Sequence, residues 1–138
     1  MIFRGSGVAL VTPFVNNKVN YEKLEELIEF QITSGTDALI ILGTTGENVC
    51  LSMEEKKKII AFTAARVKNR IPVIVGTGSP NTEAVIELSK YAEYKDADGL
   101  FWNPATSLNL PAKAGRFSVE VQPKHASIYK VPNPREEV

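Results

Sequence analysis

The sequence contains few of the residues that metal, disulfide or nucleic-acid chemistry requires. One cysteine, Cys50, and one histidine, His125, leave no partner for an internal disulfide and no cluster of metal ligands. Sixteen basic and sixteen acidic residues give a net charge of zero, which is not typical of proteins that bind nucleic acid or anionic membranes. We interpret Cys50 as a small apolar loop residue and His125 as a tail residue, neither of them a ligand or a nucleophile.

Targeting and nucleotide-binding motifs are missing as well. The amino terminus lacks a basic segment followed by an apolar run, and no stretch of 18 apolar residues occurs. We therefore expect a soluble, unexported, cytoplasmic protein. The first loop lacks the dinucleotide fingerprint G-x-G-x-x-G, and no loop contains the P-loop pattern G-x-x-x-x-G-K-[ST]. We expect neither a cofactor nor a bound metal.

A repeat of roughly thirty residues occupies the first hundred positions, and each unit combines an apolar strand, a Gly/Thr loop and an amphipathic helix. The predicted strands are 8–11, 38–42, 72–75 and a fourth that begins at Leu100. Asn20 is a predicted N-cap, Ser52 with Glu55 forms a predicted capping box, and a third helix is predicted near 82–94. The charged run 54–58 is predicted to be a solvated helical turn without a function.

Strands that alternate with helices at this spacing form a parallel sheet, either a doubly wound sheet or a (βα)8 barrel. Because the nucleotide motifs of doubly wound sheets are missing, the barrel is favoured. We predict an α/β fold in which residues 1–102 form about three and a half βα units. Five of the eight prolines follow residue 100, so 103–138 is predicted to be an irregular tail with short extended pieces at 116–121 and 126–131.

The loop Gly43-Thr44-Thr45-Gly46-Glu47 directly follows the apolar run 38–42 and precedes a helix. Loops at the carboxyl ends of parallel strands are where ligands bind. Glycines let backbone N–H groups approach a small anion, and threonine hydroxyls both donate and accept a proton. The loop is a candidate active-site loop; the alternative is a structural strand-to-helix turn rich in Gly and Thr.

Four segments, in the right order and spacing, resemble the dihydrodipicolinate synthase family over about residues 3–100. They are 7–13, the GTTGE loop at 43–47, 70–78 and 97–99. The GTTGE form points to the synthase rather than to the sialic-acid or keto-sugar-acid lyases of the same superfamily. The resemblance implies a (βα)8 barrel, usually tetrameric, that condenses pyruvate with aspartate semialdehyde through a lysine Schiff base in lysine biosynthesis. It also implies that Thr45 binds the pyruvate carboxylate and that Thr44 passes protons between two tyrosines.

The chain departs from the family after Leu100. The family's Thr-Pro-Tyr-Tyr-Asn motif is replaced by Phe-Trp-Asn-Pro-Ala at 101–105, so both tyrosines are missing, and the strand that carries the Schiff-base lysine has no counterpart. We interpret Lys113, Lys124 and Lys130 as solvated tail lysines, because a nucleophilic lysine needs a desolvated pocket. We therefore predict that the chain as it stands is inactive.

Two weaker matches to the family, a tetrapeptide and an arginine, lie in the predicted tail. The segment Tyr129-Lys130-Val131-Pro132 loosely resembles the family's Tyr-Asn-Val-Pro signature, whose tyrosine donates protons, and Arg135 could stand for a substrate-binding arginine. No predicted helix precedes this segment and Pro134 interrupts it, so we favour an unrelated tail that arises from a frameshift, altered splicing or fusion. Pro80 and Ala84 replace the Asn and Glu of the family's feedback-inhibitor site.

Three functional interpretations stay open. The first is a chain of the pyruvate-dependent lyase type that lacks part of its catalytic machinery. The second is a non-catalytic partial barrel that binds a second copy or a homologue through open strand edges. The third is another member of the pyruvate-dependent aldolase superfamily.

Overall fold

Apolar runs form a parallel sheet in the computed structural model, which describes residues 3–101 and strand residues 127–129. Its strands are β1 (Gly7–Ala9), β4 (Ala38–Ile41), β5 (Val73–Gly76), β6 (Gly99–Phe101) and β7 (Ser127–Tyr129). They lie in the order β1-β4-β5-β6-β7, and all four pairings are parallel. The sheet confirms the predicted α/β architecture and βα order.

Within residues 3–101, three helices connect the strands: α1 (Tyr21–Thr33), α2 (Met53–Val67) and α3 (Thr82–Tyr94). The predicted caps are confirmed: the Asn20 side chain accepts from the Lys23 N–H, and Ser52 and Glu55 form a reciprocal capping box. A short 3₁₀ helix, Asn48–Cys50, precedes α2. None of the helices among the described residues is long and apolar enough to cross a membrane.

The helices pack on the side chains of alternate strand residues. Leu39, Val75 and Leu100 belong to one buried cluster together with Ile28 of α1 and Ile59 of α2. Alternate residues of a strand lie on one face, so a continuous apolar layer forms between sheet and helices. This packing fixes the strands relative to one another and thereby fixes the loops at their ends.

Two elements were not predicted from the sequence. β2 (Phe14–Val15) and β3 (Lys18–Val19) form a small antiparallel hairpin between β1 and α1. Its two turn residues, Asn16 and Asn17, have φ of 48° and 59°, the left-handed values that a two-residue type I′ turn needs. Asparagine tolerates this region better than most residues, which is the signal that the sequence analysis missed.

The interpretation of 54–58 as a solvated turn is confirmed at Glu54 and Lys58, which are exposed, and is wrong for 55–57, which are half-buried. Lys56 is half-buried and lies at helical spacing from Ile60, Thr63 and Val67, the buried stripe of α2. Burial lowers the pKa of the Lys56 amine, because the charged form is desolvated. The buried face of α2 therefore begins one turn earlier than the charged residues 54–58 indicate.

Candidate functional site

The carboxyl ends of the five parallel strands form one edge of the sheet, here called the carboxyl edge. The loop Gly43–Glu47 and the 3₁₀ helix follow β4 at this edge, and Thr77 directly follows β5. The Thr77 N–H donates to the Phe101 carbonyl at 3.0 Å, which extends the pairing of β5 with β6 beyond the strands. The structure therefore places the predicted active-site loop where parallel sheets bind ligands.

The loop after β4 turns back on itself through its own backbone. The Gly46 N–H donates to the Gly43 carbonyl at 3.1 Å, and the Glu47 N–H donates to the Thr44 carbonyl at 3.0 Å. These two bonds consume the amides of Gly46 and Glu47. The side chains of Thr44 and Thr45 are exposed at the turn, so both hydroxyls are accessible to a small molecule.

Two polar side chains attach this turn to the sheet. The Thr12 hydroxyl, buried beyond the end of β1, donates to the Gly46 carbonyl at 2.7 Å. The Asn48 side-chain amide donates to the Leu42 carbonyl at 2.8 Å. Leu42 is buried and has a left-handed φ of 56°, a conformation that leucine rarely adopts. The sequence analysis did not assign a role to Thr12 or Asn48.

Gly76, the last residue of β5, lies against the beginning of the same loop. A Cβ at this position would lie 2.3 Å from the Leu42 carbonyl oxygen and 2.9 Å from the Gly43 nitrogen. Side chains cannot approach backbone atoms this closely, so only glycine fits. The strand end and the loop therefore meet backbone to backbone.

The opposite end of the sheet, here called the amino edge, is fastened by aspartates. The Asp98 carboxylate accepts from the Val73 N–H at 2.8 Å, and the Asp37 carboxylate accepts from the Ser6 N–H at 2.7 Å. A cavity of about 310 Å³ opens at this edge beside the end of α2. Its walls are mostly apolar, and Lys68 and Lys95 are among the residues that line it.

Among the other residues named from the sequence, Cys50 is exposed at the end of the 3₁₀ helix. Pro80 is exposed and Ala84 is half-buried near the start of α3. His125, Arg135, Lys113, Lys124 and Lys130 lie outside the described residues, as does the predicted piece 116–121. The described residues include no group of three or more metal-ligating side chains.

The weaker match at Tyr129 lies in β7. This strand falls within the extended piece predicted at 126–131, and its register pairs Phe101 with Tyr129. Tyr129 is therefore the last residue of a parallel strand at the carboxyl edge, next to β6. The sequence analysis did not assign this piece to the sheet, and the boundary at residue 102 and the origin of the tail stay predictions.

Sequential parallel strands with helices on one face and a Gly/Thr loop at the carboxyl edge define the chain as part of a (βα)8-type α/β protein. The model of the dihydrodipicolinate synthetase family matches residues 2–104. The chain belongs to the dihydrodipicolinate synthase family.

Individual relatives agree with this family over the same part of the chain. The 4-hydroxy-tetrahydrodipicolinate synthase of Clostridium tetani is 58% identical over 99 residues, which are 72% of this chain and 34% of the relative. A solved dihydrodipicolinate synthase from Aquifex aeolicus is 46% identical with a TM-score of 0.71. The match covers 72% of this chain and 34% of the Aquifex protein. A dihydrodipicolinate synthase from Acinetobacter baumannii, solved with pyruvate, is 41% identical with a TM-score of 0.71. The match covers 74% of this chain and 35% of that protein. The chain thus spans about one third of the length of these relatives.

Proposed function

We propose that this chain carries the carboxylate-binding part of a pyruvate-dependent lyase site of the dihydrodipicolinate synthase type. The observation that supports the proposal is the anchored loop Gly43–Glu47, which presents two exposed threonines at the carboxyl edge. The family's reaction condenses pyruvate with aspartate semialdehyde in lysine biosynthesis. We assign binding of the pyruvate carboxylate to Thr45 and proton relay to Thr44.

The chemistry of the loop suits a small anion. The side-chain hydroxyls and free backbone amides of the turn can donate to a carboxylate without a formal positive charge nearby. Thr44 can accept a proton from one neighbour and donate one to another, because a hydroxyl does both. Both roles require exposure of the side chains, which Thr44 and Thr45 have.

Tyr129 is a further candidate for this site. It ends β7 at the carboxyl edge, and the resemblance of 129–132 to the family's Tyr-Asn-Val-Pro signature implies a proton-donating tyrosine at such a position. We propose that Tyr129 takes that role when the site is complete. The proposal rests on the register of β7, which pairs Tyr129 with Phe101.

The 138 residues on their own are proposed to bind pyruvate without covalent chemistry. No lysine of the chain matches the family's Schiff-base motif, and an enamine cannot form without that amine. Borohydride reduction in the presence of pyruvate, followed by mass spectrometry, tests this. We expect no stoichiometric pyruvyl adduct; an adduct on any lysine would contradict the proposal, and Lys56, with its lowered pKa, is the first position to inspect.

Pyruvate binding itself is tested by titrating the ¹⁵N-labelled chain with sodium pyruvate and comparing it with sodium chloride at equal ionic strength. We expect saturable shifts of the amide signals of Gly43 to Gly46, with smaller shifts at Tyr129, and loss of these shifts in Thr45→Val. Thr33→Val is the matched control, since Thr33 is an exposed threonine at the end of α1. Equal shifts in wild type and Thr45→Val would rule out the assignment of Thr45.

A second candidate function is an interaction module. β1 and β7 are the two outermost strands of the five, and the outer edge of β1 has no strand partner among the described residues. Open strand edges pair with other strands, so we propose that the chain associates with a second copy or with a homologue. Light scattering should show dimers or larger species. A monomer with one sharp urea transition would contradict this candidate.

A further inference from the structure

The Leu42 carbonyl is the point at which three parts of the carboxyl edge meet. It directly precedes the loop Gly43–Glu47, it faces Gly76 of β5 at a distance that leaves no room for a Cβ, and it accepts a hydrogen bond from Asn48. The left-handed φ of Leu42 directs the carbonyl into this position. The peptide group after Leu42 therefore sets the direction in which the loop leaves the sheet.

Asn48 supplies a side-chain hydrogen bond to this peptide. Leucine disfavours the left-handed region, so the conformation persists only when its surroundings stabilise it. Among the described residues, the Asn48 side chain donates to no acceptor other than the Leu42 carbonyl, and Asn48 is half-buried. Thr12 holds the other end of the loop through Gly46. The loop thus has one anchor at each end.

We propose that Asn48 is a positioning residue: its side-chain amide holds the Leu42 carbonyl against β5 and keeps Thr44 and Thr45 presented to a small carboxylate. The part that concerns the carboxylate rests on the proposed function. The part that concerns the loop does not, because the order of the loop is measurable without a ligand.

The first test is amide hydrogen exchange in the variant Asn48→Asp, which is isosteric but cannot donate when ionised. We expect exchange at the Gly46 and Glu47 amides to become about tenfold faster, which corresponds to the loss of one hydrogen bond. The Leu39 amide, which donates to the Pro72 carbonyl within the sheet, should exchange as in wild type. Unchanged exchange at Gly46 and Glu47 would overturn the proposal.

The second test uses the titration of the introduced carboxyl group. In Asn48→Asp the ionised form faces the Leu42 carbonyl oxygen, whereas the protonated form can donate to it, so the pKa should rise above the ordinary aspartate value of about 3.9. The control is Asn69→Asp, at an exposed position outside the loop. Carbon-13 NMR titration gives the pKa of the introduced carboxyl group in each variant. Equal pKa values in the two variants would overturn the proposal.

A third variant covers the case in which the introduced charge unfolds the chain. Asn48→Ala removes the donor without adding a charge and should produce the same faster exchange at Gly46 and Glu47. Pyruvate titration of the folded variants then separates the two proposals. Faster amide exchange at Gly46 and Glu47 together with weaker pyruvate-induced shifts supports both the loop anchor and the carboxylate-binding role. Faster exchange in a chain whose wild type shows no pyruvate shifts supports the loop anchor alone and overturns the carboxylate role.

Discussion

The amino edge and the carboxyl edge belong to the same five-stranded sheet but differ in the groups that hold them together. At the amino edge, aspartate carboxylates accept from backbone N–H groups of the neighbouring strand, as Asp98 does from Val73. At the carboxyl edge, neutral hydroxyl and amide groups hold a loop by its carbonyls, as Thr12 does at Gly46. The groups that hold the loop at the carboxyl edge are therefore uncharged, although the loop itself ends in the exposed carboxylate of Glu47.

This difference bears on the proposed function. A carboxylate in place of the Thr12 hydroxyl or the Asn48 amide would repel an anionic ligand, whereas threonine hydroxyls and backbone amides attract one. The amino edge binds no proposed ligand and can use charge-assisted hydrogen bonds for stability alone. Barrel enzymes in general separate stability and catalysis between the two ends of their strands, and the site that we propose at the carboxyl edge would follow that rule.

The largest expected effect is that of Gly76→Ala at the carboxyl edge. The new Cβ would overlap the Leu42 carbonyl oxygen, so the loop or β5 must move, and we expect a loss of about 3 kcal/mol in the free energy of unfolding. Urea denaturation measures it. The control is Gly43→Ala, where a Cβ meets no atom within 4 Å and stability should change by less than about 0.5 kcal/mol. Similar losses in both variants would show that the close approach is not what requires glycine.

Asp98→Asn should weaken the amino edge without affecting ligand binding. The substitution replaces a charged acceptor of the Val73 N–H by a neutral one, and we expect a loss of about 1 kcal/mol in urea. Asp96→Asn removes the same charge from an exposed residue for which no side-chain hydrogen bond is found among the described residues, and should be nearly neutral. Changed pyruvate shifts in Asp98→Asn would break the proposed separation of the two edges.

In contrast to Asp98→Asn, Thr45→Val should abolish the pyruvate-induced shifts and change the stability of the fold little. Its side chain is exposed, and substitutions of exposed residues usually change stability by no more than about 0.5 kcal/mol. Thermal and urea unfolding of the variant measure this. A loss as large as that of Gly76→Ala would mean that Thr45 serves the fold and not the ligand.

The smallest expected effect concerns acid sensitivity at the ion pair of Glu29 and Arg70. The side-chain hydrogen bond from Arg70, which joins the segment after α2 to α1, lowers the pKa of Glu29 below its usual value. A lowered folded-state pKa gives stability that is present above the unfolded value, near pH 4.5, and is lost as pH falls through the folded one. Glu29→Gln should therefore make stability less dependent on pH below about 4.5. An equally steep acid transition in Glu29→Gln would contradict this.

Local signals in the sequence were sufficient for most of the fold. The helix caps at Asn20 and Ser52 are read from residues that lie within one turn of each other, and the structure confirms both. The buried strands were also predicted from local sequence, because a short apolar run between glycines is typical of a buried strand. The motif 43–47 likewise identified the loop that the structure places at the carboxyl edge.

Tertiary structure decided the features that depend on distant parts of the chain. The pairing of Phe101 with Tyr129 places part of the extended piece predicted at 126–131 in the sheet, a partner that the local sequence does not indicate. Lys56 is half-buried because α2 continues its buried stripe toward the loop, which its charge alone does not indicate. Gly76 meets Leu42 across 34 positions of sequence only after β4 and β5 have paired. The local sequence determined which residues form the elements and the loop, whereas the anchoring of that loop depends on contacts that exist only in the folded sheet.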